Sequence, residues 1–297
     1  MHTPSNACMR SCVLVYAKLA FLVVAVFATT ACASIVTGFT NKLADDLSAA
    51  VLTNPDVAVV ADGLPAYLLL VDALLESNPN DPAILNAAAT LNSAYATGFV
   101  QDEARVKRFA DKAKALALRA TCLHNGSLCD LVRLRFDEFE AALAATAHDD
   151  IDFIYTLASS WATWVQVHAD DFNAVAELPK ARLLMERVIE LDPTHAEGSP
   201  FIYMGVFATF LPAALGGQPE VGRENFERAL EISQGKNLYA KTLMAEMYAR
   251  AMFDRDLHDR LVDEVIAANP HASELTLQNV IAQELARELK ESADEFF

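Results

Sequence analysis

FIYMGVFATFLPAALGGQPEVGRENFERAL, residues 201–230, is the stretch whose reading decides the fold. It reads as an apolar helix ending near Pro212, a turn containing Gly216 and Gly217, and a second helix starting at Pro219. Proline suits a first helical turn, where its missing N–H would find no partner in any case. Glycine supplies backbone angles that a side chain forbids. Two helices joined by a short glycine-containing turn make an αα-hairpin.

The flanking sequence repeats the theme. Leu64–Pro79 places Leu68, Val71, Leu74 and Leu75 at helical spacing and stops at Asn78-Pro79. Asn80-Asp81-Pro82 then caps a helix carrying Leu85, Ala88, Leu91, Ala94 and Tyr95. Helices are expected at 101–119, at 127–147, and after Asp149-Asp150, where Ile154, Leu157, Trp161, Trp164 and Val165 fall. Further helices are expected at 178–191, 239–252, 257–268 and 273–290, and a lead-in helix around Lys42–Leu52. The mature chain carries no strand-like alternation of Val, Ile and Thr. Helices that end in Asn-Pro or Asp-Pro stop at Asn78, Asp192 and Asn269, so the gaps are 114 and 77 residues. These are close to three and two units of roughly 38, slightly longer than a tetratricopeptide repeat. The fold class expected is all-α, with tetratricopeptide-like helical hairpins stacked as an α-solenoid that leaves a concave groove. The alternative is a generic helical bundle with coincidental stops.

The chain has 297 residues, is 53 % hydrophobic, and carries a formal net charge of −17. Such a balance disfavours nucleic acid, which needs a basic face to displace counterions. It also disfavours charge-driven docking on anionic lipid.

Residues 1–31 read as a processing signal. Arg10 and Lys18 give a positive start, and Leu19–Ala28 is an apolar run too short to span a bilayer comfortably. Thr29, Thr30 and Ala31 lead into Cys32, which resembles the lipidated first residue of a bacterial lipoprotein, although Thr29 stands where Leu is usual. An ordinary secretory signal cut near Ala31 or Ala33 is the other reading. Each acyl CH₂ buried in lipid holds by roughly 0.8 kcal/mol, so multiple acylation at Cys32 would tether the protein to the periplasmic face of a membrane. Ala33, not Asp, follows, which by resemblance to enterobacterial sorting favours the outer membrane. The domain plan is then 1–31 signal, 32–62 anchor segment and lead-in helix, and 63–297 one helical repeat domain. Cys122 and Cys129 remain after processing, and Asn125-Gly126 between them is a turn signal. In one unbroken helix their sulfurs would stand about 10 Å apart; across a helix–turn–helix they can bond, as an oxidising compartment favours. Two free thiols is the alternative.

A search for chemistry finds little. No His pair has metal-ligating spacing, and there is no phosphate loop or nucleophile motif. Asp45-Asp46, Asp149-Asp150 and Asp170-Asp171 sit where acidic residues cap helices. No metal, cofactor or catalytic residue is expected. Trp161 and Trp164, with Phe201, Tyr203, Phe207 and Phe210 in the next unit, read first as core packing. The sharper reading lines a groove with some of them, for an apolar ligand or a partner's segment.

Four runs carry a resemblance: SSWATWVQVHADD (159–171), LPKARLLMERVIELDPTHAEGSPFIYMG (178–205), FLPAALGGQPEVGRENFERALEISQGKNLYAKTLMAEMYARAM (210–252) and LQNVIAQELARELKESADEFF (277–297). Together they resemble the T-component family of TRAP transporters, and the N-terminal half fits from Leu64 to Ala120. The most specific part is residues 211–230. The resemblance implies a periplasmic, lipid-anchored, non-enzymatic helical protein that accompanies a TRAP solute-binding protein and works as a homo-oligomer. It further implies handling of hydrophobic or organic-acid ligands, and it points to Trp161, Trp164, Pro212, Gly216, Gly217 and Asn279. The competing reading is a general repeat scaffold for envelope assembly.

Overall fold

The structure is a computed structural model that describes residues 49–297. Cys32, Asp45-Asp46 and most of the lead-in helix lie outside the described residues. Thr53–Phe297 forms one compact unit. Among the described residues all regular structure is helical.

The unit opens with α1 (Val57–Ser77), α2 (Pro82–Phe99) and α3 (Glu103–His124). The Asp56 carboxylate accepts from the Val59 N–H at 3.0 Å, so α1 begins seven residues before Leu64 and holds Pro65 inside it. The expected 62/63 boundary therefore falls within a helix. Asp81 caps α2, accepting from Ala83 N and Ile84 N at 2.9 and 3.2 Å, with Pro82 in the first turn. Ala88, Ala89 and Ala96 of α2 are fully or almost fully buried, as are Ala110, Ala113, Ala117 and Ala120 of α3. Side chains this small let two helices approach closely, so the interface is dense without large residues.

The helix expected at 127–147 is not formed. Two single turns replace its first half, and only α4 (Phe136–Ala144) is regular. The sulfurs of Cys122 and Cys129 are joined, with their Cα atoms 4.4 Å apart. Asp130 takes a left-handed conformation (φ 61°), and Lys180 donates to the Val132 carbonyl at 2.9 Å. These contacts hold the backbone in a shape that no continuous helix allows. Beyond it run α5 (Ile151–Val167) and α6 (Leu178–Leu191), joined through the short helix Phe172–Val175.

The second half is more regular. It holds α7 (Ser199–Thr209), α8 (Pro219–Ile232), α9 (Leu238–Leu243), α10 (Arg255–Ala267) and α11 (Thr276–Glu291). α9 continues directly into a π-helical stretch, Met244–Ala249. Helices α7, α9 and α11 start at 199, 238 and 276, steps of 39 and 38 residues. Side chains tie elements one such step apart. Asn279 Oδ1 accepts from Leu238 N at 2.9 Å, and Thr242 Oγ1 donates to Ala282 O at 3.3 Å. Arg250 donates to Ser292 Oγ at 2.7 Å, and Lys112 pairs with Asp72 at 2.7 Å in the first half.

In the hairpin of residues 201–230, α7 ends at Thr209, three residues before Pro212, and α8 starts at Pro219. The two helices meet through glycine. A Cβ on Gly205 would lie 2.7 Å from the Phe226 ring, and one on Gly222 would lie 2.4 Å from Thr209 Cγ2. In the turn, Gly216 has φ +97°, and a Cβ on Gly217 would sit 1.7 Å from the Leu211 carbonyl oxygen. Gln218 N donates to Ala208 O at 2.7 Å and closes the loop onto the end of α7.

Three substitutions grade this constraint by thermal unfolding. Gly217→Val drives a side chain into backbone, which no rotamer relieves, and should cost about 3 kcal/mol. Gly216→Ala carries only the left-handed penalty, about 1 kcal/mol. Gly98→Ala, in α2 with open space around it, should be neutral or stabilising. A Gly217→Val protein that melts with the wild type would refute the packing account.

Candidate functional site

Several helices carry half-buried polar and aromatic residues. Tyr155 and Ser159 come from α5; Ser199, Tyr203 and Phe207 from α7; Tyr239 from α9; and Glu246 from the π-helical stretch. The Tyr155 and Tyr203 rings meet edge to face, 6.3 Å between centroids, and Tyr203 lies 6.3 Å from Phe207. His195 sets its ring against Tyr155 at 4.9 Å.

His195 reaches that position through an unusual backbone. Ala196, Glu197 and Gly198 have φ of 48°, 56° and 77°, three left-handed residues in succession. Left-handed geometry costs a non-glycine residue roughly 1–2 kcal/mol, so packing around the turn must offset it. Gly198 lies against Ile232, where a Cβ would come within 3.1 Å.

The electrostatics of the row follow from enclosure. Burial pushes the Tyr155 hydroxyl up to about 12, with Ser199 opposing part of the rise. Burial raises Tyr203 further, and Tyr155 and Tyr239 add to it. Tyr239 is raised by burial and by Glu246. Glu246 is raised by burial first; Arg250 opposes this and Glu288 reinforces it. Burial lowers His195, while Asp152 and Asp192 pull the other way. Each of these side chains keeps part of its surface accessible, yet each loses the solvation that its charged form needs. The row presents hydroxyls, aromatic faces and one carboxyl group.

The π-helical stretch places Glu246. Its wider turn is closed by bonds from Arg250 N to Ala245 O at 3.3 Å and from Asp254 N to Ala249 O at 2.9 Å. Such turns are rare and frequent at functional sites. Among the described residues, no group of three or more His, Cys, Asp or Glu is arranged to hold a metal ion.

The sequence-derived candidates are distributed unevenly around this row. Phe207 joins it, and Phe210 is half-buried just past the end of α7. Pro212 is exposed on the turn that Gly216 and Gly217 shape. Trp161 and Trp164 lie on the other side of α5. Trp161 is wholly buried, its indole N–H donating to Glu177 Oε2 at 2.7 Å. Lys114 donates to the same oxygen at 2.5 Å, and its ammonium lies 4.5 Å from the Trp161 ring centroid and 3.3 Å from that of Trp164. Burial lowers the Lys114 pKa and Glu177 opposes the shift. Trp164 donates to Asp111 at 2.8 Å. Asn279 is also fully buried, donating to Lys236 O at 2.9 Å and Pro270 O at 3.1 Å besides accepting from Leu238 N. Tyr155, Tyr239, Glu246 and His195 were missed as site residues. Their only sequence signal is one large polar residue on each of several helices, which core-forming tyrosines also give.

The whole compact unit has a counterpart among known proteins. A family model for the TRAP transporter T-component matches residues 53–297. The chain belongs to the TRAP transporter T-component family. It is also similar to a protein of Treponema pallidum (strain Nichols), described as uncharacterized, with 23 % identity over 265 residues, covering 82 % of this chain and 80 % of the relative. The match begins at residue 53, where the compact unit begins, so the T-component sequence and the folded body coincide.

Glu246 in this T-component should oppose stability at neutral pH. Its folded-state pKa is raised, so the native protein binds the proton more tightly than the unfolded chain does. Stability is then lost as pH rises from the ordinary glutamate range through the raised value. Glu246→Gln should melt higher than the wild type at pH 7, and the gap should close below about pH 4, the unperturbed range. Melting curves of both proteins across pH test this; a gap that widens in acid would contradict it.

Proposed function

We propose that this protein is a non-enzymatic accessory component of a TRAP-type transport system. It works in the periplasm, tethered by lipid on Cys32, at the outer membrane. It associates there with the system's periplasmic solute-binding protein and carries an apolar ligand along the row of Tyr155, Tyr203, Phe207 and Tyr239. The observation that carries this reading is the family match over the entire folded unit. Its helical hairpins stack as a tetratricopeptide-like solenoid, with α5, α7, α9 and α11 as inner helices. The steps of 39 and 38 residues and the hydrogen bonds one step apart support that arrangement. The exposed turn at Pro212–Ala214 and the partly covered Phe210 offer an apolar surface for the partner or for a second copy of the chain.

Affinity purification of the full-length, membrane-associated protein from its native cells tests the reading. A TRAP solute-binding protein should be the main soluble partner, and Cys32→Ser should release the protein from the membrane fraction without abolishing that association in solution. Recovery of envelope-assembly proteins alone would favour the general scaffold instead.

A further inference from the structure

Helix α1 is more apolar than its packing requires. Its 21 residues make it long and apolar enough to cross a membrane. One face is spent on the body: Val60, Leu64, Leu68 and Val71 are only 4–7 % exposed. The opposite face is open. Leu69, Val59 and Leu70 are 71 %, 57 % and 50 % exposed, and Gly63, Ala66 and Ala73 are exposed between them. Residues three, four and seven apart share one side of a helix, so these six form a single surface. From Gly63 to Leu75 the one charged residue is Asp72, and Lys112 of α3 neutralises it at 2.7 Å. Asp62 and Glu76 stand just outside that stretch, one at each end.

The same ion pair shows what runs beside the open face. Asp72 meets Lys112, and Asn80, eight residues on, accepts from Arg119, seven residues beyond Lys112, at 2.7 Å. Both strings of residues advance together, so α3 lies alongside α1 and runs parallel to it. That register sets Arg108 level with Leu68 and Leu69, and Arg105 level with Pro65. Arg105, Arg108, Lys112 and Arg119 are separated by three, four and seven residues, which makes them one stripe along α3. Arg105 and Arg108 are both exposed. The Arg105 guanidinium lies 6.0 Å from the Phe109 ring centroid and, like that of Arg108, has no ion-pair partner among the described residues.

An apolar helix face beside a basic stripe suits a membrane interface, with hydrocarbon under the apolar residues and guanidinium groups at the phosphates. A spanning role is excluded, because it would strip Val60, Leu64, Leu68 and Val71 from the core. The net charge of −17 opposes anionic lipid for the molecule as a whole. Salt screens exposed charges beyond about 8 Å, however, so the nearest cations decide locally. The chain outside the described residues ends at residue 48, nine before α1, and Cys32 stands 25 residues before α1. We propose that α1 and α3 dock on an anionic phospholipid surface, with Val59, Leu69 and Leu70 entering the interface and Arg105 and Arg108 meeting phosphates. This rests on the reading of the protein as membrane-tethered, and it supplies a second contact that needs no acyl chain.

Vesicle flotation of the mature chain, residues 32–297 carrying Cys32→Ser, tests the docking without the acyl tether. The chain should float with vesicles of phosphatidylethanolamine and phosphatidylglycerol, and bind phosphatidylcholine vesicles at least about tenfold more weakly. Leu69→Gln combined with Leu70→Gln changes outward-facing residues only and should lose at least about tenfold in binding. Arg105→Gln combined with Arg108→Gln should lose roughly tenfold on the anionic vesicles and little on phosphatidylcholine. Met252→Gln, an exposed apolar position in the second half, should change nothing. Should the leucine variant melt early, the arginine variant decides. Binding that survives both double substitutions would overturn the proposal, and so would equal binding to the two vesicle types. An unlipidated chain that does not float, but forms an oligomer that the leucine substitutions dissociate, would overturn it too and make this face a contact between copies. Retention of Cys32→Ser protein in the membrane fraction of cells, with no loss of flotation in the leucine variant, would count against this face and leave the solute-binding partner untouched.

Discussion

The close approach of α7 and α8 is the constraint on which the second half of this T-component depends. Gly205 and Gly222 remove the side chains that would hold the helices apart, and the Phe226 ring fills the space beside them. Phe226 is fully buried and belongs to the same core as Leu238, Met244, Ala245, Val262 and Ala286. The turn that closes the hairpin has no freedom to rearrange, because Gly217 lies against the Leu211 carbonyl and Gln218 is bonded back to Ala208. With one face of α7 committed to α8, its other face has to carry Tyr203 and Phe207 toward α5 and α9. The position of the candidate site is thus a consequence of glycine packing on the opposite side of the helix.

The first half is held by a different device. Lys114 of α3, Trp161 of α5 and Glu177 before α6 meet at one oxygen, with the ammonium over two indole rings. Breaking a buried pair of this kind strands a charge and is far more costly than the pair's net contribution. The arrangement therefore acts mainly as specification, since only one mutual placement of the three elements satisfies both donors. It explains why two tryptophans that look available for a ligand are spent on architecture.

Between these halves, the row from Tyr155 to Glu246 departs from what packing alone would select. The left-handed Ala196 and Glu197 beside His195, and a half-buried carboxyl group in a π-helical stretch, each cost stability. Costs of this sort persist where the surrounding structure over-determines them, and they gather at sites that bind. Asn279 shows the contrast: it is polar and buried, yet all of its contacts are backbone groups, so it cross-links α9 to α11 and adds no site.

Sequence by itself determined the helical class, the hairpin at residues 201–230 and most helix ends. Those features are local: proline, glycine and capping aspartates act within a turn of where they stand, as Asp81, Asp171 and Asp254 do. Tertiary structure decided the rest. The segment after Cys122 reads as helix, but the bridge to Cys129 and the reach of Lys180 from a distant helix break it. Trp161 and Trp164 were assigned by residue type, while their partners, Lys114, Asp111 and Glu177, are remote in sequence and close only after folding. Tyr155, Tyr203, Tyr239 and Glu246 form a row for the same reason. Helical periodicity tells which face a residue shares with its neighbours, and only the crossing of one helix on the next tells whether that face is core, solvent or the wall of a groove.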